Sequence, residues 1–262
     1  MGRLDGRVAI VVGAGQTTGE TVGNGRATAL TFAREGATLV LVDRDAGSLA
    51  ATAEQTGVEC VQVVADIATD GGPGQVVDAA LAAHGRIDIL HNNVGIGAGD
   101  APPHHLTDDA YDRIMDVNLR AMWRTCRAAV PHLRLSDHGA IVNVSSLAAI
   151  GAAPALTAYK LSKAGVNALT QNLALSNAKH GLRANAIMPG FIDTPMAVDA
   201  GARHAGTDRA ELARFRASVV PLGRQGTAWD VANAALFLAS DEAAFITGIV
   251  LAVDGGQSAR VG

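Results

Sequence analysis

Aromatic residues are scarce in this chain: two Trp, two Tyr and five Phe make up 3% of its 262 residues. Its core must be built from Ala, Val, Leu and Ile, under turns supplied by 30 Gly. Cysteine is also rare. Cys60 and Cys126 each sit in apolar surroundings, so buried free thiols are expected rather than a disulfide framework. No apolar run approaches the roughly 20 residues of a membrane span. No Lys/Arg block stands out, and the formal charge is -4. A nucleic-acid or anionic-membrane surface is therefore not expected. The N-terminal stretch MGRLDGRVAIVVGAG runs into a strand without the apolar region of a signal peptide, which points to a cytoplasmic protein.

What is present is an alternation of short apolar runs and helical patterns. Strands are expected at 7–12, 37–42, 61–64, 87–90, 141–144, 182–187 and 249–253. Helices are expected at 26–34, 74–84, 107–116, 117–133, 159–180 and 229–239. Near-continuous apolar strands between helices predict a parallel sheet covered on both faces, an α/β fold. Without a linker, repeat or low-complexity tract, residues 1–262 read as one domain. Residues 194–217 are helical in composition but are broken by Gly201 and Gly206, which suits a substrate lid.

The chemistry gathers at residues 141–163. A buried strand ends at Ser145-Ser146, a small-residue loop follows, and Tyr159 and Lys163 lie four apart. On a helix that spacing puts both side chains on one face. Lowering a phenol by about three pKa units takes roughly 4 kcal/mol, and a cation about 4 Å away supplies that order of energy. The pair is thus suited to general acid/base work. Upstream, the first strand opens a glycine-rich segment, Gly13 to Gly25, that leads into a helix. Such loops let backbone N–H groups approach a pyrophosphate at the helix N-terminus. The second strand finishes on Asp43, placed to accept hydrogen bonds from ribose hydroxyls and to repel a 2′-phosphate. Arg44 follows at once and could pair with that phosphate. The adjacent His104 and His105 lack Cys or acidic neighbours, so no metal site is expected.

These motifs, in this order, resemble the short-chain dehydrogenase/reductase family over nearly the whole chain. Asn92-Asn93-Val94-Gly95 resembles its NNAG segment, Tyr159 to Lys163 its YxxxK motif, and Pro189-Gly190 its PG segment. Ser146 precedes Tyr159 by the family's 13 residues, and Asn118 stands where the family has a catalytic asparagine. The C-terminal run from Ile246 to Gly256 resembles the family's last strand. The resemblance implies a Rossmann-type doubly wound fold, with a seven-stranded parallel sheet flanked by helices on both faces. It implies catalysis by Asn118, Ser146, Tyr159 and Lys163, with Lys163 lowering the tyrosine pKa. It implies NAD as cofactor, held by Gly13, Gly15, Gly23, Asn24, Gly25, Asp43, Arg44, Asp66, Ile67, Asn92, Val94, Gly95, Tyr159, Lys163, Pro189, Gly190, Ile192 and Thr194. A homo-tetramer, or a dimer, is implied as well, paired through helices 117–133 and 158–180 and abutting last strands.

Two departures stand out. Val12 replaces the Thr of the family's TGxxxGxG loop. With Gly13, Gly23 and Gly25 as the three family glycines, the loop is six residues longer than the pattern, with Glu20 among the extra residues. This insertion either folds over the cofactor and slows its exchange or is a harmless surface bulge; Gly15 or Gly19 could stand in for Gly23. The expected activity is NAD(H)-dependent interconversion of an uncharged, mostly apolar secondary alcohol and a ketone. An NADPH-dependent 3-oxoacyl thioester reductase is the alternative within the family. A non-catalytic nucleotide-sensing protein is the alternative from another class, which the intact four side chains oppose. Arg203, His204 and Arg209 in the lid could instead receive an anionic substrate.

Overall fold

The computed structural model describes residues 2–151 and 154–260. Its centre is a seven-stranded sheet in the order β3-β2-β1-β4-β5-β6-β9, and every pairing is parallel. The strands are β1 Val8–Val12, β2 Thr38–Asp43, β3 Cys60–Val64, β4 Ile89–Asn92, β5 Ala140–Val144, β6 Arg183–Pro189 and β9 Val250–Val253. Helices α1 Asn24–Arg34, α2 Ala46–Thr56 and α3 Gly72–His84 lie in the first half of the chain. They are followed by α4 Asp108–Met115, α5 Ala121–Leu133, α6 Thr157–Asn177 and α9 Ala228–Ala239.

Both sheet faces are buried because successive strand residues point to opposite sides. Ala9, Val11, Leu39 and Leu41 pack with Phe32 of α1, Leu49 of α2 and Val231 of α9. Val8, Ile10, Val40 and Val42 pack on the other face with Val76 of α3, Met122 of α5 and Val166 of α6. Strand order reverses between β2 and β4 on either side of β1. That crevice, at the carboxyl ends of the strands, is where open parallel sheets take ligands.

The structure adds elements that the sequence pattern does not announce. Helix α2 follows β2 directly: Asp45 accepts from the Ser48 N–H at its start, and Gly57 ends it in the left-handed region (φ 69°). The 107–133 stretch is one helical run with a π-helical turn at Asp116–Arg120, capped at its start by Thr107. Pro189 ends β6 from inside the strand rather than standing beyond it. A two-stranded ribbon, β7 Ile192–Asp193 with β8 Gly226–Thr227, brackets the expected lid. Between them lie a π turn at Pro195–Asp199 and two short helices, α7 Ala200–Ala205 and α8 Arg209–Ser218. Among the described residues, no helix is long and apolar enough to cross a membrane.

Candidate active site

The four side chains expected to carry catalysis converge at the carboxyl ends of β4 and β5. Asn118 is fully buried in the π-helical turn, an irregularity that often marks functional positions. Its Oδ1 accepts from the Ile96 N–H at 2.7 Å, and its Nδ2 donates to the Ile96 carbonyl oxygen (2.9 Å) and to Ser162 Oγ (3.1 Å). Lys163, 2% exposed, donates from Nζ to the Val144 carbonyl oxygen at 2.9 Å. Its ammonium lies 5.7 Å from the Tyr159 ring centre. The Ser146 hydroxyl lies close enough to the Tyr159 phenol to favour its ionised form. Gly95 makes room for the lysine, since a Cβ there would lie 3.1 Å from Lys163 Nζ; Gly97 borders the Tyr159 ring, where a Cβ would sit at an ordinary 3.6 Å. Ser145 is buried and donates from Oγ to the Lys163 carbonyl oxygen at 3.0 Å, a bracing contact.

The electrostatics differ from the expectation. Burial pushes the Tyr159 phenol above its ordinary value of 10, and the Ser146 hydroxyl pulls it only partly back. Burial also draws Lys163 from 10.5 down to about 8. The ammonium donates to the Val144 carbonyl oxygen, and burial is the largest influence on the phenol. Both groups are poised by desolvation, which leaves each of them responsive to charge brought into the cleft.

Helix α6 begins at Thr157 without a side-chain cap of its own. The cap comes from the loop after β4. Asp100 accepts from the backbone N–H of Ala158 (3.1 Å) and of Tyr159 (2.8 Å). Thr157 Oγ1 donates to the Ala101 carbonyl oxygen at 2.6 Å. The first turn of α6, which carries Tyr159, is thus tied to the loop over the crevice. Asp100 carries no motif, and only an acidic residue in an otherwise small-residue loop hints at it.

The glycine loop forms the other wall. Gly13 adopts φ +79°, and a Cβ on Gly25 would lie 1.8 Å from the Gly13 carbonyl oxygen, so neither position accepts a side chain. Gly23 is the N-cap of α1, which keeps it at the helix N-terminus despite the longer loop. Asn24 and Gly25 open the helix, where backbone N–H groups lack intrahelical partners. Asp43 accepts from the Gly15 N–H through Oδ2 (2.9 Å) and from the Asp45 N–H through Oδ1 (3.0 Å). Ser48, on α2, receives the Gln16 N–H at 2.7 Å and donates to the Gln16 carbonyl oxygen at 3.0 Å. Gln16 in turn accepts from the Gly23 N–H at 3.0 Å. Gln16 and Ser48 therefore hold the lengthened loop, and nothing in the sequence pattern marks them.

The remaining expected cofactor positions rim the same crevice. Arg44 and Asp66 are exposed, Ile67 and Pro189 are buried, and Val94 and Gly190 are half-buried. Thr194 caps the π turn, its Oγ1 accepting from the Ala197 N–H. Ile192 lies buried beside it in β7. Asn92 needs correction. Its side chain is 2% exposed and turns into the interior, donating to Asn143 Oδ1 (2.9 Å) and Cys126 Sγ (3.3 Å). Side chains alternate along a strand, so the next residue faces the crevice instead, and Asn93 donates from Nδ2 to the Gly13 carbonyl oxygen at 3.1 Å. Residues 152–153 of the small-residue loop between Ser146 and Tyr159, and the C-terminal residues 261–262, lie outside the described residues. Of the two thiols, Cys126 is fully buried and Cys60 only half-buried.

A switch-point crevice with a glycine loop on one wall and a Ser-Tyr-Lys-Asn cluster on the other defines a dinucleotide-dependent oxidoreductase architecture. Comparison with known proteins agrees. A family model described as Enoyl-(Acyl carrier protein) reductase matches residues 20–258. The 3-oxoacyl-[acyl-carrier-protein] reductase FabG of Thermotoga maritima is 38% identical over 259 residues, covering 97% of this chain and 98% of that protein. A solved short-chain dehydrogenase/reductase from Burkholderia xenovorans is 39% identical, with TM-score 0.94 and full coverage of both chains. Carveol dehydrogenase from Mycobacterium avium, solved in complex with NAD, is 29% identical, with TM-score 0.91 over 99% of this chain and 100% of that one. The chain belongs to the short-chain dehydrogenase/reductase family of oxidoreductases.

Proposed function

We propose that this protein is an NAD(H)-dependent oxidoreductase interconverting an uncharged secondary alcohol and a ketone. The observation that carries the reading is the convergence of Asn118, Ser146, Tyr159 and Lys163 on one small space beside Gly95 and Gly97. The glycine loop fits a dinucleotide: Gly25 packs directly on the Gly13 carbonyl, which brings the loop onto the start of α1, where the first backbone N–H groups lack intrahelical partners. Asp43 favours NAD, since a carboxylate there repels a 2′-phosphate. A bound nicotinamide supplies or accepts hydride.

The chain's own groups do the rest. Ser146 holds the substrate oxygen at the tyrosine hydroxyl, and Tyr159 gives it a proton in reduction or takes one in oxidation. Lys163 supplies positive charge to the site and a donor for a ribose hydroxyl. Asn118 fixes the Ile96 backbone that frames the cluster and anchors a proton path behind Lys163. The substrate is read as uncharged because Arg209 of the lid is already paired with Glu20, Asp193 and Asp199. Residues 194–217 serve as lid of a single domain spanning 1–262. Exposed Trp123 on α5, Leu161 and Leu175 on α6, and Phe245 before β9 support a homo-tetramer paired through those elements. The cytoplasm is the proposed location.

A 3-oxoacyl thioester reductase using NADPH is the second reading, favoured by the FabG relative and by Arg44 standing exposed beside Asp43. Side-by-side fluorescence titration with NADH and NADPH separates them. Tighter NADH binding, followed by turnover of secondary alcohols with NAD, supports the first. Tighter NADPH binding with turnover of 3-oxoacyl thioesters replaces it with the second. Binding without any turnover leaves the nucleotide-sensing alternative.

A further inference from the structure

The six additional glycine-loop residues have a definite partner. In the sheet, β1 and β6 are three strand steps apart, about 14 Å at the usual spacing. The glycine loop leaves β1 and the lid leaves β6, so the two stand on opposite walls of the crevice. The inserted turn crosses that gap. The Glu20 N–H donates to Asp199 Oδ1 at 3.0 Å, and Thr21 Oγ1 donates to Asp193 Oδ1 at 3.5 Å. Arg209, at the start of α8, reaches all three acidic groups: Asp193 at 2.7 Å, Asp199 at 3.3 Å and Glu20 at 3.4 Å. Asp199 is 7% exposed, and its Oδ2 is buried without a hydrogen-bond partner; its Oδ1 is met by the Glu20 N–H and, as an ion pair without hydrogen-bond geometry, by Arg209 Nε. Gly19 seals the contact. A Cβ there would lie 2.7 Å from the Asp199 carboxyl carbon and 2.8 Å from Pro195 Cβ.

We propose that Gly19, Glu20, Asp199 and Arg209 form a clasp that closes the glycine-loop insertion against the lid and sets the residence time of the dinucleotide. This rests on the reading of the crevice as a nicotinamide-dinucleotide site. Arg209 is a positioning residue: with the Glu20 N–H and the Thr21 hydroxyl it ties the inserted turn to the lid. The clasp must open before the cofactor leaves, so its contacts slow release without touching the reacting atoms. Its Glu20 arm is 74% exposed and salt-sensitive, whereas its Asp199 arm is buried and screened far less.

Three variants of the full-length protein test this: Gly19→Ala, which adds one methyl against the lid and changes no charge; Arg209→Met; and Glu20→Gln. Each is checked for folding by thermal melting. NADH release is followed by stopped-flow fluorescence during a chase with excess NAD, and hydrogen exchange of residues 16–22 is measured on the cofactor-free chain. Release is expected to quicken on the order of tenfold in Gly19→Ala and Arg209→Met, and less in Glu20→Gln, as for the loss of ion pairs that are only partly exposed. Exchange in 16–22 rises in parallel, and single-turnover hydride transfer keeps its rate. Added salt speeds release from the wild type more than from Arg209→Met. If the wild type binds a dinucleotide but all three variants release it at the wild-type rate, the clasp is refuted and the cofactor reading stands. If the wild type binds neither NADH nor NADPH, the reading fails and the clasp's role falls with it.

Discussion

The Lys163 side chain runs through the interior with its ammonium 2.9 Å from the Val144 carbonyl oxygen, and burial draws its pKa from 10.5 to about 8. A lysine whose folded value lies below its unfolded value is protonated more readily in the unfolded chain. Its penalty is fully present below about pH 8 and disappears as pH rises past 10.5. A gap of about 2.5 units corresponds to about 3 kcal/mol. Lys163→Met should therefore stabilise the protein at pH 7 while abolishing turnover, and its advantage should shrink as urea melts are repeated toward pH 10. A variant less stable than wild type at pH 7 would mean that the Val144 contact outweighs the desolvation. For Tyr159, removal of the hydroxyl should cost the chemistry alone. Tyr159→Phe is expected to lower kcat by a factor of about 10² to 10⁴, the usual range for a general acid/base, with a far smaller change in NADH affinity in titration. An active Tyr159→Phe enzyme would take the proton-transfer role away from Tyr159.

At the scale of elements, the first turn of α6 is stabilised from outside. Asp100 accepts from the Ala158 and Tyr159 N–H groups and so fixes the turn from which Tyr159 projects. Caps of this kind contribute about 1 kcal/mol, and an acidic group near a helix N-terminus also complements the helix dipole. Asp100→Ala is expected to lose about that stability. Its kcat should fall more than its KM rises, because the tyrosine is displaced while the substrate walls persist. Asp100→Asn keeps an acceptor oxygen and should recover most of both losses. Equal stability loss in the two variants with unchanged kcat would reduce Asp100 to an ordinary loop residue. Such elements show why part of the site was hidden in the sequence. Tyr159, Lys163, Ser146 and Asn118 are readable because fixed spacing carries their chemistry. Asp100, Gln16, Ser48 and Arg209 act across sequence separations that no local pattern encodes. Helix α2 was missed because Thr, Ser and Ala fill its faces, so its apolar stripe is reduced to Leu49 and Ala53 with the buried Thr52. Asn92 was misassigned for the opposite reason: the motif was plain, but the side of the strand was not.

For the molecule as a whole, the sheet was legible because its strands are apolar on both sides, yet the same property hides a polar group in the middle. His91 lies in β4, fully buried, against Phe32 with ring centres 6.1 Å apart. Neither ring nitrogen has a hydrogen-bond partner, and burial lowers its pKa from 6.5 to about 4. The folded protein therefore resists a proton that the unfolded chain accepts. His91 costs nothing above about pH 6.5, and stability is lost as pH falls from there toward 4. By pH 4.5 the loss amounts to about 2.5 kcal/mol, a substantial share of the 5–15 kcal/mol typical of folded domains. Carboxylates such as Asp88, held below the ordinary range by Arg86, Ser136 and the Val8 N–H against the opposing effect of its burial, act at lower pH. They contribute equally to wild type and variant and cancel in a difference. Urea melts of wild type and His91→Leu at pH 7.5 and 4.5 isolate the term. The acid-induced loss should be smaller in His91→Leu by about 2.5 kcal/mol, whatever the leucine does to stability at neutral pH. Equal acid sensitivity in the two proteins would mean that the strand opens, or admits water, before the imidazole is protonated. The acid limit of this fold would then lie in its ion pairs rather than in its core.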